Sequence, residues 1–337
     1  SIPLHACEHM HFVTLPMEGT YKGMPILRDQ DGCLYFREEV GRLLIGAFEY
    51  GALPYGTESI PEDWKFRELP ENMEHLEPLM ENAINRVPEL ANAEIRRITT
   101  TAESFTPDNM YIMGEAPGMK KVYTACGMNS SGILCGAGVG KKTAEWIVEG
   151  YPKSGHIWEA DNRRCFSWMM NKRWLRDRAP ETPGNLYGIH FPFKQFETAR
   201  NMRMSPFHAC LAERGACFGQ LFGYERANWF APEGVEPKYE YSFHRQNWFD
   251  YSAAEHMAVR ENVGIYDLSS MANFIVQGSD ALSVLQKICG NDVDAPIGKV
   301  VYTQILNPHG GIEADITVTR LEKDKFFIVT AGATALR

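Results

Sequence analysis

The first feature that could do chemistry is a row of histidines and a cysteine near the start of the sequence. The segment HACEHMH places His5, Cys7, His9 and His11 at every second position, so on a β-strand their side chains share one face. Both residue types are zinc ligands, but the sequence has no second Cys/His cluster, and we predict no metal site. We favour a histidine that works beside a bound cofactor; the alternative is a histidine hydrogen-bonded within the sheet.

A glycine-rich stretch between residues 127 and 140 is the second candidate. Neither nucleotide fingerprint fits it, because Lys141 stands where a dinucleotide-binding motif has glycine and Lys142 stands where a P-loop has serine or threonine. Its small residues instead allow backbone N–H groups at the start of a helix to approach an electron-rich acceptor. Close packing of the helix explains the same glycines equally well.

Two further side chains belong among the candidates. Tyr35 lies between apolar neighbours in CLYFRE, where a tyrosine is usually half-buried strand packing. Asp315 follows the turn in GGIEAD and precedes an apolar strand. An aspartate there is usually solvated, but it could also accept a hydrogen bond or a proton from a nitrogen heterocycle.

Composition limits the classes of function that the chain can have. Its 337 residues exceed the usual size of one hydrophobic core, so two or three domains are expected. The net charge of -9 repels nucleic acid and anionic membranes, and no apolar run is long enough for membrane insertion. We therefore expect neither nucleic acid nor a membrane as a partner. The eight cysteines form no CxxC pair, and we expect reduced thiols.

Local patterns predict the elements that position these residues. Residues 24–49 alternate apolar runs with Asp-Gly and Gly-Arg turns, which is typical of a β-meander. Apolar residues at three- and four-residue spacing predict an amphipathic helix that Pro70 opens and that ends near Pro88. A strand over residues 122–125 and a helix over residues 139–149 follow, and Gly150 and Pro152 stop that helix.

A second pattern begins at Ser205, after a segment rich in aromatic and basic residues. Four strand-like runs, FIVQG, VVYTQIL, DITVTRL and FFIVTA, surround one predicted helix over residues 280–289. We place a domain boundary near residue 203. The sequence begins at Ser1 and stops just after an apolar strand-like run, so we expect both ends to be truncated.

These motifs together resemble a known family. HACEH, RDQDGCLYFREE, LIGAFE, FTPDNMYIMGEAP and ACGMNSSGI are similar, in this order, to the C-terminal half of the flavoprotein domain in the FAD-dependent dimethylglycine and sarcosine dehydrogenases. The family includes the regulatory subunit of pyruvate dehydrogenase phosphatase. From SPFHACLAERGACFGQ to GGIEADITVTRL the sequence resembles the beginning of the glycine-cleavage T-protein, whose module binds tetrahydrofolate.

The resemblance implies a multidomain α+β and α/β chain. Residues 1–152 would be the C-terminal part of a D-amino-acid-oxidase-like FAD oxidoreductase domain, and residues 153–203 a connecting subdomain. Residues 204–337 would be the N-terminal part of a T-protein-like aminomethyltransferase domain that binds folate. The implied cofactors are FAD and tetrahydrofolate.

The same resemblance assigns site residues by position. His9 and Tyr35 match an active-site histidine and tyrosine that hold the amine and its carboxylate beside the flavin and can accept the ammonium proton. Tyr302 and Asp315 fall near the folate. The residues implied in cofactor binding are Pro107, Asp108, Gly114, Gly127, Met128, Asn129, Ser130, Gly132 and Ile133.

The function implied is oxidative demethylation of an N-methylated amino acid, with transfer of the one-carbon unit to tetrahydrofolate. Electrons would pass to electron-transfer flavoprotein or oxygen, and the location would be the mitochondrial matrix in a eukaryote or the cytoplasm in a bacterium. The piece by itself is expected to be inactive. The alternative is a non-catalytic regulatory subunit of the pyruvate dehydrogenase phosphatase type, and keeping His9 and Tyr35 is compatible with both.

Overall fold

The computed structural model describes residues 2–56, 60–152 and 157–332. The chain divides into two compact units, Ser1–Ala199 and Arg200–Arg337. The strands of the first unit are β1 His5–Thr14, β2 Leu27–Asp29, β3 Leu34–Glu38, β4 Leu43–Ala47, β5 Pro54–Tyr55, β6 Ile95–Phe105, β7 Ile112–Glu115 and β8 Tyr123–Cys126. Its α-helices are α1 Met73–Arg86, α2 Gly132–Glu149, α3 Lys172–Arg178 and α4 Thr182–Tyr187.

The first unit is built around a six-stranded antiparallel sheet. Strand β1 lies at its centre, paired with β6 along one edge and with β4 and β5 along the other. Strands β2, β3 and β4 continue the sheet outwards as consecutive antiparallel neighbours. The β-meander predicted for residues 24–49 is therefore confirmed.

Helix α1 covers one face of this sheet. Its buried residues Leu76, Leu79 and Ala83 pack against a core that contains Met10 and Phe36. The helix begins at Met73 and not at Pro70, because the side chain of Asn72 caps it by accepting a hydrogen bond from the His75 amide at 3.1 Å. Met73 was expected on the apolar face, but half of it is exposed. A 3₁₀ turn at Pro88–Asn92 follows the helix.

Helix α2 follows the β7–β8 hairpin and begins earlier than the sequence predicted. It starts at Gly132 and not near Val139, so the glycines between residues 136 and 140 lie inside the helix. Tertiary packing outweighs the low helix propensity of glycine there, since Val139 and Trp146 are buried against the hairpin side of the unit. The predicted stop is correct, because Gly150 has the left-handed φ of 88°.

Short helical turns form most of the segment that follows α2. Three 3₁₀ turns, Asn162–Arg164, Ser167–Met170 and Ala179–Glu181, alternate with α3 and α4. Elements this short carry little periodicity, which is why the sequence predicted only a connecting segment. The predicted domain limits at residues 152 and 203 stay a prediction.

The second unit contains strands β9 Ala216–Leu221, β10 Tyr224–Phe230, β11 Ala272–Gln277, β12 Val300–Leu306, β13 Ile312–Glu322 and β14 Lys325–Thr330, and helices α5 His208–Glu213, α6 Phe249–Glu261 and α7 Ala281–Ile288. Strands β11, β14, β13 and β12 form one antiparallel sheet in that order. Helix α7 packs on one face of it through Leu285, which lies in a core with Val318 and Phe326. The four predicted strands and this helix are present.

One expectation for the second unit was wrong. A single helix was predicted, but α5 and α6 are also present, together with the β9–β10 hairpin. Helix α6 has no buried residue, so it lacks the apolar stripe by which a helix is recognised in a sequence. None of the helices in the described part of the chain combines the length and apolar character needed to cross a membrane.

Candidate active site

The strand register of the first unit brings the two predicted catalytic residues to one face of the sheet. His11 in β1 pairs with Gly46 in β4, and Gly46 pairs with Tyr35 in β3. His9 lies two residues before His11 and therefore projects to the same side. This face lies opposite the one that α1 covers, because the core under α1 takes Met10 from β1. The face that carries His9 and Tyr35 is the candidate active site.

A contact with the Glu103 carboxylate holds His9 in place. Glu103 in β6 pairs in register with Cys7, which puts its side chain on the face of His9. Its Oε2 atom lies 2.9 Å from Nδ1 of His9, and its Oε1 atom accepts a hydrogen bond from the Ser130 hydroxyl. Burial opposes ionisation of Glu103, but the hydrogen bonds from His9 and Ser130 outweigh it and hold its pKa below the ordinary value. The carboxylate therefore orients the imidazole ring.

Tyr35 lies directly over Gly46. A Cβ atom built on Gly46 would come within 2.2 Å of both Cζ and Oη of Tyr35, so the ring occupies the space of a side chain that glycine lacks. Burial, with smaller contributions from Tyr187 and Glu103, raises the pKa of Tyr35. The phenol thus stays protonated at neutral pH and can donate a hydrogen bond. A raised pKa argues against Tyr35 as the predicted acceptor of the ammonium proton, and the corresponding role of His9 stays a prediction.

Two more aromatic rings complete a wall beside these residues. The edge of His9 contacts Phe48, with the ring centroids 4.5 Å apart and the planes at 75°. Tyr187, at the end of α4, stacks on Phe48 at 4.6 Å, and Tyr35 lies 6.0 Å from Phe48. The guanidinium of Arg28 lies 3.8 Å from the centroid of Tyr187. We call His9, Phe48 and Tyr187 the aromatic wall; its rings suit a cationic amine.

The predicted glycine-rich loop reaches the same Glu103 carboxylate. Gly127, Asn129 and Ser130 all have positive φ, at 66°, 48° and 63°, a conformation that is costly for residues other than glycine. Asn129 is buried, and its Oδ1 atom accepts a hydrogen bond from the Thr106 amide at 2.8 Å. Together with the bond from Ser130 to Glu103, this contact holds the loop in its strained conformation.

The start of α2 presents open backbone next to this loop. Ser131 precedes the helix and makes no side-chain cap, so the first N–H groups of α2 are available to a ligand. A Cβ atom built on Gly132 would come near a single side chain of the described residues, that of Met128 at 3.8 Å, and Ile133 is fully exposed. Free amides beside exposed apolar surface fit the edge of a flat, electron-rich ring such as that of a flavin.

The remaining predicted cofactor residues have partners within the protein. The Asp108 carboxylate receives two hydrogen bonds from buried Arg164, at 2.8 and 3.0 Å. Gly114 lies against Trp146, whose ring would be 2.4 Å from a built Cβ atom. Pro107 is buried. Asp108 and Gly114 thus have structural roles within the protein, and a direct contact of these three residues with a cofactor stays a prediction.

In the second unit, the predicted folate residues share one sheet face. Asp315 pairs in register with Gln304, whose side chain donates to its Oδ1 atom at 3.2 Å. Tyr302 lies two residues before Gln304, and its hydrogen bond to Asp315 raises the pKa of Tyr302. Tyr302 and Asp315 are both exposed. The structure thus brings the two predicted residues together, and their role stays a prediction.

Sequence reasoning missed several residues of the candidate active site: Arg28, Gly46, Phe48, Glu103 and Tyr187. Glu103 is the only acidic residue in the β-branched run ITTTAESF, a signal that could have indicated a strand with a functional carboxylate. Nothing local marks the others. Among the described residues, no group of three or more His, Cys, Asp and Glu side chains could hold a metal ion.

Comparison with known protein families divides the chain into three consecutive parts. Residues 1–146 match the FAD dependent oxidoreductase family, residues 149–205 match the FAD dependent oxidoreductase central domain, and residues 207–337 match the GCVT N-terminal domain. These matches define the class: an FAD dependent oxidoreductase sequence continued into a GCVT-type domain.

Curated relatives share this arrangement. The chain is 44% identical to 4-methylaminobutanoate oxidase (formaldehyde-forming) of Paenarthrobacter nicotinovorans, over 99% of the chain and 40% of that protein. It is 36% identical to the mitochondrial pyruvate dehydrogenase phosphatase regulatory subunit of Mus musculus, over 98% of the chain and 38% of that protein. It is 32% identical to mitochondrial sarcosine dehydrogenase of Homo sapiens, over 99% of the chain and 40% of that protein.

Over nearly its whole length the chain is similar to the sarcosine and dimethylglycine dehydrogenases, 4-methylaminobutanoate oxidase and the pyruvate dehydrogenase phosphatase regulatory subunit. This confirms the resemblance drawn from its motifs. The chain spans about 40% of the length of these relatives.

Proposed function

We propose that the protein is an FAD-dependent oxidoreductase that demethylates an N-methylated amino acid. The observation that carries the proposal is the His9–Glu103 pair beside Tyr35, on one sheet face and next to the loop of residues 127–131. The proposal is supported by the match to the FAD dependent oxidoreductase family and by relatives named as oxidases or dehydrogenases of methylated amines.

His9 prepares the substrate for oxidation. Removal of a hydride equivalent from an N-methyl carbon requires a free lone pair on the nitrogen, so the ammonium proton must leave first. Glu103 binds Nδ1 of His9, and no described residue bonds to Nε2. The free Nε2 atom is therefore the acceptor that faces an incoming amine, and Glu103 stabilises the imidazolium that results.

Tyr35 and the aromatic wall orient the amine. The protonated phenol of Tyr35 donates a hydrogen bond, while the ring faces attract the cationic nitrogen before its proton leaves. The backbone amides at the start of α2 and the strained loop at Gly127, Asn129 and Ser130 would hold FAD. When bound, FAD supplies the two-electron acceptor that the oxidation needs.

The second unit would receive the one-carbon product. The iminium formed from an N-methyl group carries carbon at the oxidation level of formaldehyde, which tetrahydrofolate captures between its N5 and N10 atoms while the demethylated amine leaves. Tyr302, Gln304 and Asp315 offer hydrogen-bonding groups on one exposed sheet face, and the match to the GCVT N-terminal domain supports a folate there. We further propose electron-transfer flavoprotein or oxygen as the final acceptor, and a mitochondrial matrix or bacterial cytoplasmic location.

The alternative function is that of a regulatory subunit. It is supported by the 36% identity to the pyruvate dehydrogenase phosphatase regulatory subunit. In that case the same pocket would bind a small molecule without turnover. The ion pair and the stacked rings are compatible with both functions, so flavin chemistry must distinguish them.

The test uses the complete protein that carries this chain, purified with its flavin. Anaerobic mixing with sarcosine, dimethylglycine and 4-methylaminobutanoate should bleach the visible flavin absorbance, and His9→Ala should slow the bleaching by about 100-fold or more. Tyr35→Phe should weaken the response through substrate binding. A flavin that binds but is bleached by none of these amines would support the regulatory function; a protein that binds no flavin would contradict the role given to residues 127–133.

A further inference from the structure

A cation lies at the outer end of the aromatic wall. Arg28 in β2 pairs in register with Tyr35, so its side chain projects to the face of the candidate active site. Its guanidinium lies 3.8 Å from the centroid of Tyr187, and its Nη2 atom donates to the Leu186 carbonyl at 2.8 Å. Stacking and this single hydrogen bond orient the guanidinium.

Arg28 differs from the neighbouring arginines in lacking an acidic partner. Arg86 binds Asp29 and Arg37 binds Glu39, whereas no carboxylate of the described residues forms an ion pair with Arg28. A guanidinium carries five N–H donors in a planar fork that matches a carboxylate. Most of those donors remain available on an exposed side chain that is already positioned.

The two ends of the aromatic wall have opposite charge. A guanidinium at 3.8 Å and a parallel ring at 4.6 Å cannot share one face of Tyr187, so Arg28 and Phe48 lie on opposite faces of that ring. His9 contacts Phe48 in a T-shaped arrangement and lies beside the ionised Glu103. A zwitterion along this wall would place its nitrogen near His9 and its carboxylate near Arg28.

We propose that Arg28 binds the carboxylate of the substrate and selects N-methylated amino acids in which several carbons separate the nitrogen from the carboxylate. The nitrogen and carboxyl carbon of an α-amino acid are about 2.5 Å apart, whereas three methylene groups extend this separation to about 5 Å. Hydrogen bonds add about 3 Å at each end. The route from His9 to Arg28 passes Phe48 and Tyr187, whose ring centroids are 4.6 Å apart, so the longer chain comes closer to bridging both ends. This inference rests on the proposed function.

Quaternary ammonium probes test the site without any reaction, because their nitrogen has no lone pair and cannot be oxidised. The probes are 4-(trimethylammonio)butanoate, trimethylglycine and butyltrimethylammonium, which lacks the carboxylate. Calorimetric titration of the complete flavoprotein measures each affinity. Arg28→Gln should weaken binding of the first probe by about 10- to 100-fold and leave the third unchanged. Arg28→Lys should restore only part of the loss.

The control variant is Arg96→Gln, which removes one positive charge from an exposed residue of β6 that has no ion pair among the described residues. It should change none of the affinities. Tighter binding of trimethylglycine than of the longer probe would overturn the proposal. So would a loss in Arg28→Gln that is equal for the probes with and without a carboxylate, because that pattern indicates a structural role.

The result separates this inference from the proposed reaction. If N-methyl amino acids reduce the flavin and Arg28→Gln raises neither their KM nor the dissociation constant of the longer probe, Arg28 is not the carboxylate site while the reaction stands. If no amine reduces the flavin but the probe pattern holds, the carboxylate site is supported and the proposed reaction fails.

Discussion

Substitution of Gly46 by alanine tests whether the sheet positions Tyr35. The new Cβ atom would lie 2.2 Å from Cζ of Tyr35, and carbon atoms prefer a separation of about 3.5 Å or more, so the ring must move by about 1 Å. Overpacking of this kind costs about 1–3 kcal/mol, from which the better strand propensity of alanine recovers about 0.5–1 kcal/mol. The net cost is about 0–2.5 kcal/mol, so we expect Gly46→Ala to lower the melting temperature by up to about 10 °C. Displacing the phenol by this distance should reduce kcat/KM by about 100-fold.

A double-mutant cycle with Tyr35→Ala isolates the contact. Thermal melting and flavin reduction are followed in the complete protein for each single variant and for the double variant. Removal of the ring leaves room for the new methyl group, so Gly46→Ala should be neutral or slightly stabilising in the Tyr35→Ala background. An equal loss of stability in both backgrounds would refute the reasoning, since the cost would then not come from the ring over Gly46.

Three further substitutions probe the groups that surround the site. The hydrogen bond to Glu49 at 2.7 Å raises the pKa of His75 in the folded protein. His75→Gln should therefore lower the free energy of unfolding by about 1 kcal/mol below pH 6.5, and by progressively less as the pH rises through the folded-state pKa of His75. Melting curves from pH 5 to 9 measure this, and a loss of stability independent of pH would contradict it. Arg164→Gln should lower the free energy of unfolding by about 3 kcal/mol, because it leaves the Asp108 carboxylate without its bidentate partner. A fall in melting temperature of less than about 2 °C would show that the Arg164–Asp108 pair is not needed for stability. Glu103→Gln should slow flavin reduction by about 100-fold. Because the pKa of Glu103 is lowered in the fold, the cost of this substitution in stability should decline as the pH falls from the ordinary carboxyl value through the lower folded-state value. Unchanged reduction kinetics would exclude the pair from the chemistry.

Local patterns predicted much of the fold. The β-meander, the apolar face of α1 and the four strands of the second unit's sheet all follow from periodicity within one element, and the motifs around His9 and Tyr35 carried the family resemblance. The start of α2 was missed because three glycines weaken its local helical signal. Helix α6 was missed because it buries no residue.

The sequence by itself thus determined which elements form, the family, and the two residues that stand at the centre of the candidate active site. Only the tertiary structure decided how that site is assembled. Glu103 reaches His9 because β6 pairs with β1, and Gly46 admits the Tyr35 ring because β4 lies between β3 and β1. Such contacts join residues that are distant along the chain, so they depend on strand register and on the space left by a neighbour, which no local spacing encodes.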